Sequence, residues 1–350
     1  MTPKKQDDPS AGGASLPAPA APVPGSRYFR QTGTAPEPLF ARTPGAPPSL
    51  PPLFEHDPLY APPVTRSIRV FSIAKGSGTA LECEDAVAVS ADEHTVALCD
   101  GTSTTNLPRS WASILARHWV AQPLARAVTP DILSAWIETP RSAWRDWIRA
   151  AWFPTLNARN RQMGLPELPL DRAEEVMAGG ASSTLVGVRL HGAPGAATWE
   201  AAAIGDSCLF VLEPASATSA IPATSATSGA PATAATHIIA RSFPLAHSAA
   251  FNDRPPILTT RDIESATAAA RYVSAAGVAG PDTILALASD ALAKWILQEV
   301  EQRASDPWQT LLALRGPDEF RALAQRERAT GRLADDDTTL VIIPIGAALA

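Results

Sequence analysis

The sequence predicts an α+β fold in which a central antiparallel β-sandwich is flanked by helix pairs, an αββα arrangement. Short segments of alternating, β-branched residues come in runs, and long segments with apolar residues at helical spacing lie between these runs. The strands do not alternate one by one with helices, as they would in a parallel sheet. Two antiparallel sheets with helices on their outer faces account for both observations.

Composition divides the chain of 350 residues into a predicted domain and two low-complexity parts. Residues 1–66 hold 16 of the 34 prolines and show no strand or helix period, so we predict a disordered Pro/Ala-rich tail. Aromatic residues scattered through the tail leave open a docking peptide or a strap that lies on the domain. Residues 214–236 are Ala, Ser, Thr, Pro or Gly except for Ile221. We predict a solvated insertion here, within one domain that covers residues 67–350.

Three strands open the predicted domain, at residues 67–74, 85–90 and 95–99. The sequence ADEH at 91–94 is typical of a turn that joins the second and third of them as a hairpin. Such a hairpin places Asp85 opposite Asp100, at the end away from the turn.

Two helical regions follow, from about 108 to 123 and from 130 to 162. Tryptophans recur in both at helical spacing, which indicates core packing, and Pro140 predicts a kink in the second region. The later elements are strands at 183–190, 198–204, 207–212, 237–243 and 283–288, helices at about 290–303 and 306–328, and a last strand at 338–344.

Charge and cysteine content exclude several classes of protein. The formal charge of −6, without a cluster of Lys and Arg, disfavours a nucleic-acid or anionic-membrane partner. No apolar run approaches the roughly 18 residues that a membrane span needs, and Asp7 and Asp8 stand where a signal peptide is apolar. Three cysteines at wide spacing form no disulfide framework, so we predict a cytoplasmic protein.

Acidic residues recur at the ends of the predicted strands, next to glycine or other small residues. They are Glu84, Asp85, Asp100, Asp206, Asp290 and Asp335 to Asp337. Carboxylates gathered in one place repel one another unless cations neutralise them, and oxygen ligands favour Mg²⁺ or Mn²⁺. None of the six histidines is paired at a zinc-ligand spacing. The pattern therefore indicates a centre for hard divalent cations.

Six motifs, in their order along the chain, resemble those of the metal-dependent Ser/Thr protein phosphatases of type 2C, the PPM family. They are ECEDAV (82–87), LCDGTS (98–103), GASSTLVG (180–187), IGDSCLFV (204–211), LALASDAL (285–292) and DDDTTLVII (335–343). The resemblance extends from about Ser67 to Ile345 and implies a β-sandwich flanked by helix pairs. It also implies hydrolysis of phosphoserine and phosphothreonine on proteins by attack of a metal-bridging water. A phosphorylated protein, the target of an opposing Ser/Thr kinase, would then be the partner.

The resemblance implies a catalytic set of Asp100, Asp290 and Asp336, all three of them direct metal ligands. Asp100 matches the carboxylate that bridges two Mn²⁺ or Mg²⁺ ions, and the carbonyl of Gly101 matches a ligand to one of them.

The remaining implied ligands come from two other motifs. Glu84 and Asp85 match an acidic pair that acts directly or through metal-bound waters. Asp206 matches a turn aspartate that in bacterial members helps to bind a third metal.

The chain also departs from the family pattern. Ala80 stands where members carry a phosphate-gripping arginine, and Lys75 is the nearest base upstream. Thr102 to Thr105 replace a glycine-rich run, Ala291 replaces a glycine, and Asp337 replaces an asparagine. Two alternatives therefore stay open: a pseudophosphatase that binds a phosphorylated protein, and a hydrolase of small phosphoesters.

Overall fold

The computed structural model describes residues 57–76, 78–79, 82–124, 126–193, 196–215, 237–261, 268–303 and 305–349. Residue 80, residues 1–56 and residues 216–236 lie outside this set. The predicted tail at 1–66 and the predicted insertion at 214–236 therefore stay predictions over residues 1–56 and 216–236.

Two five-stranded antiparallel sheets form the centre of the described part of the chain. In spatial order, the first sheet contains β1 (Arg69–Ile73), β12 (Thr338–Pro344), β11 (Ile284–Ala288), β7 (Cys208–Pro214) and β8 (His237–Phe243). The second contains β10 (Val273–Ala279), β6 (Ala197–Ile204), β5 (Leu185–His191), β3 (Thr95–Cys99) and β2 (Ala86–Val89). A short separate pair consists of β4 (Ser182–Ser183) and β9 (Leu258–Thr259).

The inner strands are buried on both faces because each sheet lies between the other sheet and a layer of helices. In β3, Val96 and Leu98 pack in the core between the sheets, while Ala97 and Cys99 pack against helices. Successive strand residues point to opposite faces, so one buried strand supplies two cores.

Helices cover the outer face of each sheet. The second sheet packs against α1 (Pro108–Ala121), α2 (Pro130–Trp147), α3 (Phe153–Gln162) and α4 (Asp171–Gly179). The first sheet packs against α5 (Asp290–Arg303), α6 (Pro307–Ala313) and α7 (Pro317–Ala329). The last strand is followed by α8 (Ile345–Ala348). The predicted αββα architecture is confirmed.

The tryptophans at helical spacing pack in the core, as predicted. The indoles of Trp111, Trp119, Trp144 and Trp152 are at most 2% exposed and belong to the core between the second sheet and its helices.

The helix α2 continues through Pro140, where we predicted a kink, and the helical hydrogen-bond pattern changes further on, in a π-helical segment at Ile148–Trp152. Proline has no N–H to donate to the carbonyl four residues earlier, which here belongs to Trp136. The Nε2 atom of His118 lies 3.1 Å from that carbonyl oxygen. A side chain from α1 thus replaces the missing helical hydrogen bond.

The single helix predicted over 306–328 is two helices, α6 and α7. The chain leaves the helical conformation at Leu314 and turns at Gly316. Pro317 then begins α7, where the absence of an N–H costs nothing because the first helical positions have no intrahelical acceptor.

Residues 57–60, within the predicted tail, contact α1 and α2. The Asp57 carboxylate accepts a hydrogen bond from Nε1 of Trp147 over 2.9 Å. The ring of Tyr60 packs edge-on against Trp147, and the guanidinium of Arg109 lies 5.2 Å from the centre of the Tyr60 ring.

Among the described residues, no helix combines the length and the apolar composition that crossing a bilayer requires.

Candidate metal centre

The hairpin of β2 and β3 brings two of the predicted ligands together. Ala86 pairs with Cys99, and the same register continued by one residue sets Asp85 opposite Asp100. The predicted hairpin is confirmed. Asp85 is 4% exposed, and neither of its carboxylate oxygens has a hydrogen-bond partner of acceptable geometry among the described residues. A buried carboxylate without a partner is costly, so the position suits a group that binds a cation.

Three further aspartates reach the same end of the sandwich from loops that connect or border its sheets. Asp206 lies in the turn between β6 and β7, which belong to different sheets. Gly205 before it has φ +116°, and a Cβ there would lie 2.5 Å from Cβ of Thr184, so this turn requires glycine. Asp290 begins α5 directly after β11, and Asp336 lies just before β12.

The pKa values show that these aspartates form one electrostatic cluster. Burial raises the pKa of Asp100 well above its usual value, and the charges of Asp85, Asp290, Asp336 and Asp206 raise it further. Burial together with the charge of Asp336 also raises the pKa of Asp290. Asp100 therefore lies among carboxylates that repel it, of which Asp85 and Asp206 are buried and Asp290 and Asp336 are partly exposed.

Two of the buried aspartates have pKa values close to neutrality. Burial, with added repulsion from Asp337, raises the pKa of Asp85 to about 8. Ser289 and Thr339 oppose this shift through their hydroxyl groups. Burial, with repulsion from Asp290, raises the pKa of Asp206 to about 7. Both groups would release a proton when a cation binds.

Glu84 is paired with a lysine. Its Oε2 atom lies 2.8 Å from Nζ of Lys75 and accepts a hydrogen bond from the hydroxyl of Ser103. The same lysine Nζ lies 3.8 Å from Asp337 Oδ2 and 4.0 Å from Asp336 Oδ1. Burial lowers the pKa of Lys75, but Glu84 and the two aspartates outweigh it, and the net shift is upward.

Asp337 has a structural role that the sequence did not indicate. Its carboxylate accepts hydrogen bonds from the backbone N–H of Lys75 over 2.8 Å and of Glu84 over 2.7 Å. The residue is 3% exposed. Asp337 thus ties the segment after β1 and the segment before β2 to the loop before β12.

Gly101 lies where the loop after β3 passes the backbone of Glu84. A Cβ at Gly101 would meet the Glu84 carbonyl oxygen at 2.8 Å and the carbonyl carbon of Pro108 at 2.9 Å. Glycine therefore permits the close approach of Asp100 to the Glu84–Asp85 pair.

The motif at 180–187 supports Asp100 through backbone contacts. The hydroxyl of Ser183 donates to the carbonyl of Asp100 over 2.8 Å, and the N–H of Thr184 donates to the same oxygen over 2.9 Å. The Thr184 hydroxyl in turn lies 3.0 Å from that of Ser207, next to Asp206. These contacts connect the backbone of Asp100 to the turn that carries Asp206.

Two arginines that the sequence analysis did not single out donate hydrogen bonds to backbone carbonyls of the loops that carry the acidic residues. Arg328 of α7, 9% exposed, donates to the carbonyls of Ala74 and Asp336 and to the hydroxyl of Thr338. Arg109 of α1 donates to the carbonyl of Cys83 over 2.7 Å. Arg109 lies 26 residues from Cys83 and Arg328 lies 254 residues from Ala74, so motif spacing gives no signal for these two contacts.

The donors suit hard cations, but the side chains are not arranged as a closed ligand shell. Within the described part of the chain, no group of three or more His, Cys, Asp and Glu side chains converges closely enough to hold a metal ion. The chemistry nevertheless fits: oxygen donors, mutual repulsion, and the buried carboxylate of Asp85, which no hydrogen bond of good geometry satisfies among the described residues. The roles of Asp100, Gly101, Asp290, Asp336, Glu84, Asp85 and Asp206 stay predictions.

Comparisons with known proteins found similarity to solved structures but not to family models or curated sequences. No protein-family model matches the chain, and no curated protein does. The catalytic domain of the serine/threonine protein phosphatase PstP, in complex with two manganese ions, is 13% identical, with 79% of this chain and 97% of that chain covered and a TM-score of 0.41. The Mycobacterium tuberculosis phosphatase PstP/Ppp is 14% identical over 79% and 96%, with a TM-score of 0.42. The photosystem II phosphatase PBCP is 14% identical over 80% and 98%, with a TM-score of 0.41.

Proposed function

We propose that this chain is a Mn²⁺- or Mg²⁺-dependent phosphatase that hydrolyses phosphoserine and phosphothreonine on proteins, in the cytoplasm. The observation that carries the proposal is the cluster of mutually repelling aspartates around Asp100, in which Asp85 and Asp206 are buried. Loops from both sheets supply its members, and the motifs that contain them resemble those of the type 2C phosphatases.

The proposed ligands fall into two groups by their surroundings. Asp85, Asp100, Asp206 and Asp290 are crowded by other carboxylates, and a cation would relieve the repulsion that raises their pKa values. Glu84 and Asp336, with the carbonyl of Gly101, complete the set that the motif resemblance implies.

The protein contributes position and charge to the proposed reaction. Bound divalent ions would supply Lewis acidity towards the phosphoryl oxygens and a lowered pKa for a coordinated water. The framework of Ser183 and Thr184 holds the backbone of Asp100, and Asp337 holds Glu84 next to it. Because the aspartates must be ionised to bind a cation, binding is favoured as the pH rises.

A phosphoprotein-binding module is the second candidate, and one observation favours it. Lys75 already compensates the charges of Glu84, Asp336 and Asp337, so part of the acidic cluster is satisfied by the chain itself. A protein that only binds phosphorylated partners has no need of bound metal ions.

Hydrolysis assays on the full chain separate the candidates. The substrates are p-nitrophenyl phosphate and a phosphothreonine peptide, with added Mn²⁺ or Mg²⁺ and with EDTA. The phosphatase proposal expects turnover of the peptide that depends on the metal and disappears with EDTA. Turnover of p-nitrophenyl phosphate alone indicates a hydrolase of small phosphoesters. Peptide binding without turnover at saturating Mn²⁺ indicates the binding module.

A further inference from the structure

Lys75 compensates the negative charge of one part of the acidic cluster and leaves the other part without an ion-paired cation. Its Nζ atom lies 2.8 Å from Glu84, 3.8 Å from Asp337 and 4.0 Å from Asp336. It is also within 2.5 Å of the Ser103 hydroxyl, which itself donates to Glu84. One ammonium group thus contacts three acids, two of which match metal ligands in the motif resemblance.

The position of this lysine is fixed by the fold. Lys75 follows β1 by two residues, and its backbone N–H donates to Asp337 Oδ1 over 2.8 Å. The carbonyl of the preceding Ala74 accepts a hydrogen bond from the buried guanidinium of Arg328. Its side chain is 37% exposed, so the ammonium reaches the acids from a constrained backbone at the rim of the site.

The other half of the cluster has no such cation. Asp85, Asp100, Asp206 and Asp290 form no ion pair with any lysine, arginine or histidine in the described ranges. Lys294 of α5 acts on Asp206 and Asp290 through its charge without an ion-pair contact. Asp85 is 4% exposed, and both of its oxygens lack a hydrogen-bond partner of good geometry. This half therefore presents carboxylates, two of them buried, that a divalent cation can bind when they are ionised.

A second divalent cation beside Glu84 and Asp336 would meet the ammonium of Lys75. Two cations about 4 Å apart repel each other even near the protein surface, where the Lys75 side chain is 37% exposed. The second ion would bind only after the lysine had left its three acids.

We infer that Lys75 is a resident counter-cation that restricts the acidic cluster to one divalent ion, held on the side of Asp85, Asp100, Asp206 and Asp290. The inference rests on the proposed function in taking these acids as cation ligands. It differs from the motif resemblance, which implies two ions or more. It also assigns Lys75 a role that does not involve the substrate.

Counting the bound ions tests this inference without any need for turnover. The full chain is titrated with Mn²⁺ to saturation by calorimetry, and bound manganese is measured by elemental analysis after equilibrium dialysis. We expect one ion per wild-type chain and two per chain in Lys75→Met, which keeps the four-atom stem, and in Lys75→Gln, which is shorter and polar; both remove the charge. Lys294→Met is the matched control, because it removes a charge that acts on the same cluster from outside contact distance; we expect one ion.

The EPR spectrum of bound Mn²⁺ gives a second readout. We expect the signal of an isolated ion in the wild type and of an exchange-coupled pair in the Lys75 variants, since two ions that share Asp100 lie close together. The wild-type count and spectrum stand even if a variant does not fold.

The other outcomes overturn the inference in distinguishable ways. Two ions in the wild type overturn it and leave the proposed function intact. One ion in the wild type and in both Lys75 variants also overturns it, because the lysine then restricts nothing. No ion in the wild type overturns both the inference and the proposed function.

Discussion

The carboxylate of Asp337 accepts a hydrogen bond from the backbone N–H of Glu84 over 2.7 Å, across 253 positions of sequence. Its second oxygen accepts from the N–H of Lys75 over 2.8 Å. One buried side chain therefore sets the relative position of three segments that border the acidic cluster.

Replacing Asp337 with alanine should lower the free energy of unfolding by roughly 1–3 kcal/mol, because two backbone N–H groups lose their acceptor. The measurement is chemical denaturation at pH 5. At this pH Asp85 is largely protonated, so removing the charge of Asp337 relieves little repulsion and does not mask the loss of the hydrogen bonds. Asp335→Ala is the control: Asp335 accepts from the N–H of Gly76 in an exposed position, and we expect a smaller effect. Equal stability of Asp337→Ala and the wild type would show that the three segments are held by other contacts.

Gly101→Ala should destabilise the protein by about 1–3 kcal/mol, because the new methyl group meets backbone atoms of Glu84 and Pro108 at under 3 Å. The shift separates the loop of Asp100 from the Glu84–Asp85 pair, so affinity for Mn²⁺ should fall as well. Thermal unfolding and a Mn²⁺ titration measure the two effects. The control Gly280→Ala adds a methyl group whose nearest neighbour lies 3.7 Å away and should change neither quantity. A fully stable Gly101→Ala protein with unchanged affinity would contradict the close approach.

Asp100→Asn should lower metal-dependent phosphatase turnover on the order of a hundredfold or more, because an amide is a much weaker cation ligand than a carboxylate. The fold should survive, since the Asp100 backbone contacts with Ser183 and Thr184 do not involve its side chain. Initial rates at saturating Mn²⁺ and thermal unfolding in EDTA give the two readouts. Asp92→Asn, in the exposed hairpin turn, serves as the control with wild-type rates. Full activity of Asp100→Asn would remove Asp100 from the proposed centre.

The stability of the metal-free protein should fall between about pH 4 and pH 8. Burial raises the pKa of Asp85 from 3.8 to about 8 and that of Asp206 from 3.8 to about 7, so in this window the folded protein binds more protons than the unfolded chain. Stability then decreases with each step up in pH. Saturating Mn²⁺ binds the ionised carboxylates, so its stabilising effect should be larger at pH 8 than at pH 5.

Thermal unfolding midpoints at pH 5 and pH 8, with EDTA and with Mn²⁺, measure both effects. In EDTA, Asp85→Asn should make the unfolding midpoint depend less on pH. The exposed Asp92→Asn should show the same pH dependence of the midpoint as the wild type. A metal-free midpoint that rises from pH 5 to pH 8 would contradict the burial of these carboxylates.

Patterns of neighbouring residues predicted the layers of the fold and the pairing within the acidic site. The alternation in β2 and β3, with a short turn between them, was sufficient to place Asp85 opposite Asp100. Helical spacing of tryptophans predicted α1 and α2. The strand β10 was missed because its sequence, VSAAGVA, is rich in Ala and Gly and carries little strand preference of its own.

Contacts between distant segments could not be predicted in the same way. The carboxylate of Asp337 and the guanidinium of Arg328 bind backbone groups of the distant Glu84 and Ala74. Every residue has such backbone groups, so Glu84 and Ala74 carry no sequence signal for these contacts. The ion pairs of Lys75 with Glu84, Asp336 and Asp337 depend on how three loops meet at one end of the sandwich.

The most direct test of a metal centre in this protein is an anomalous diffraction map of crystals grown with Mn²⁺. We expect an anomalous peak enclosed by the carboxylates of Asp85, Asp100 and Asp290. A map without a peak at this end of the sandwich, with the three side chains directed away from one another, would contradict the proposed centre.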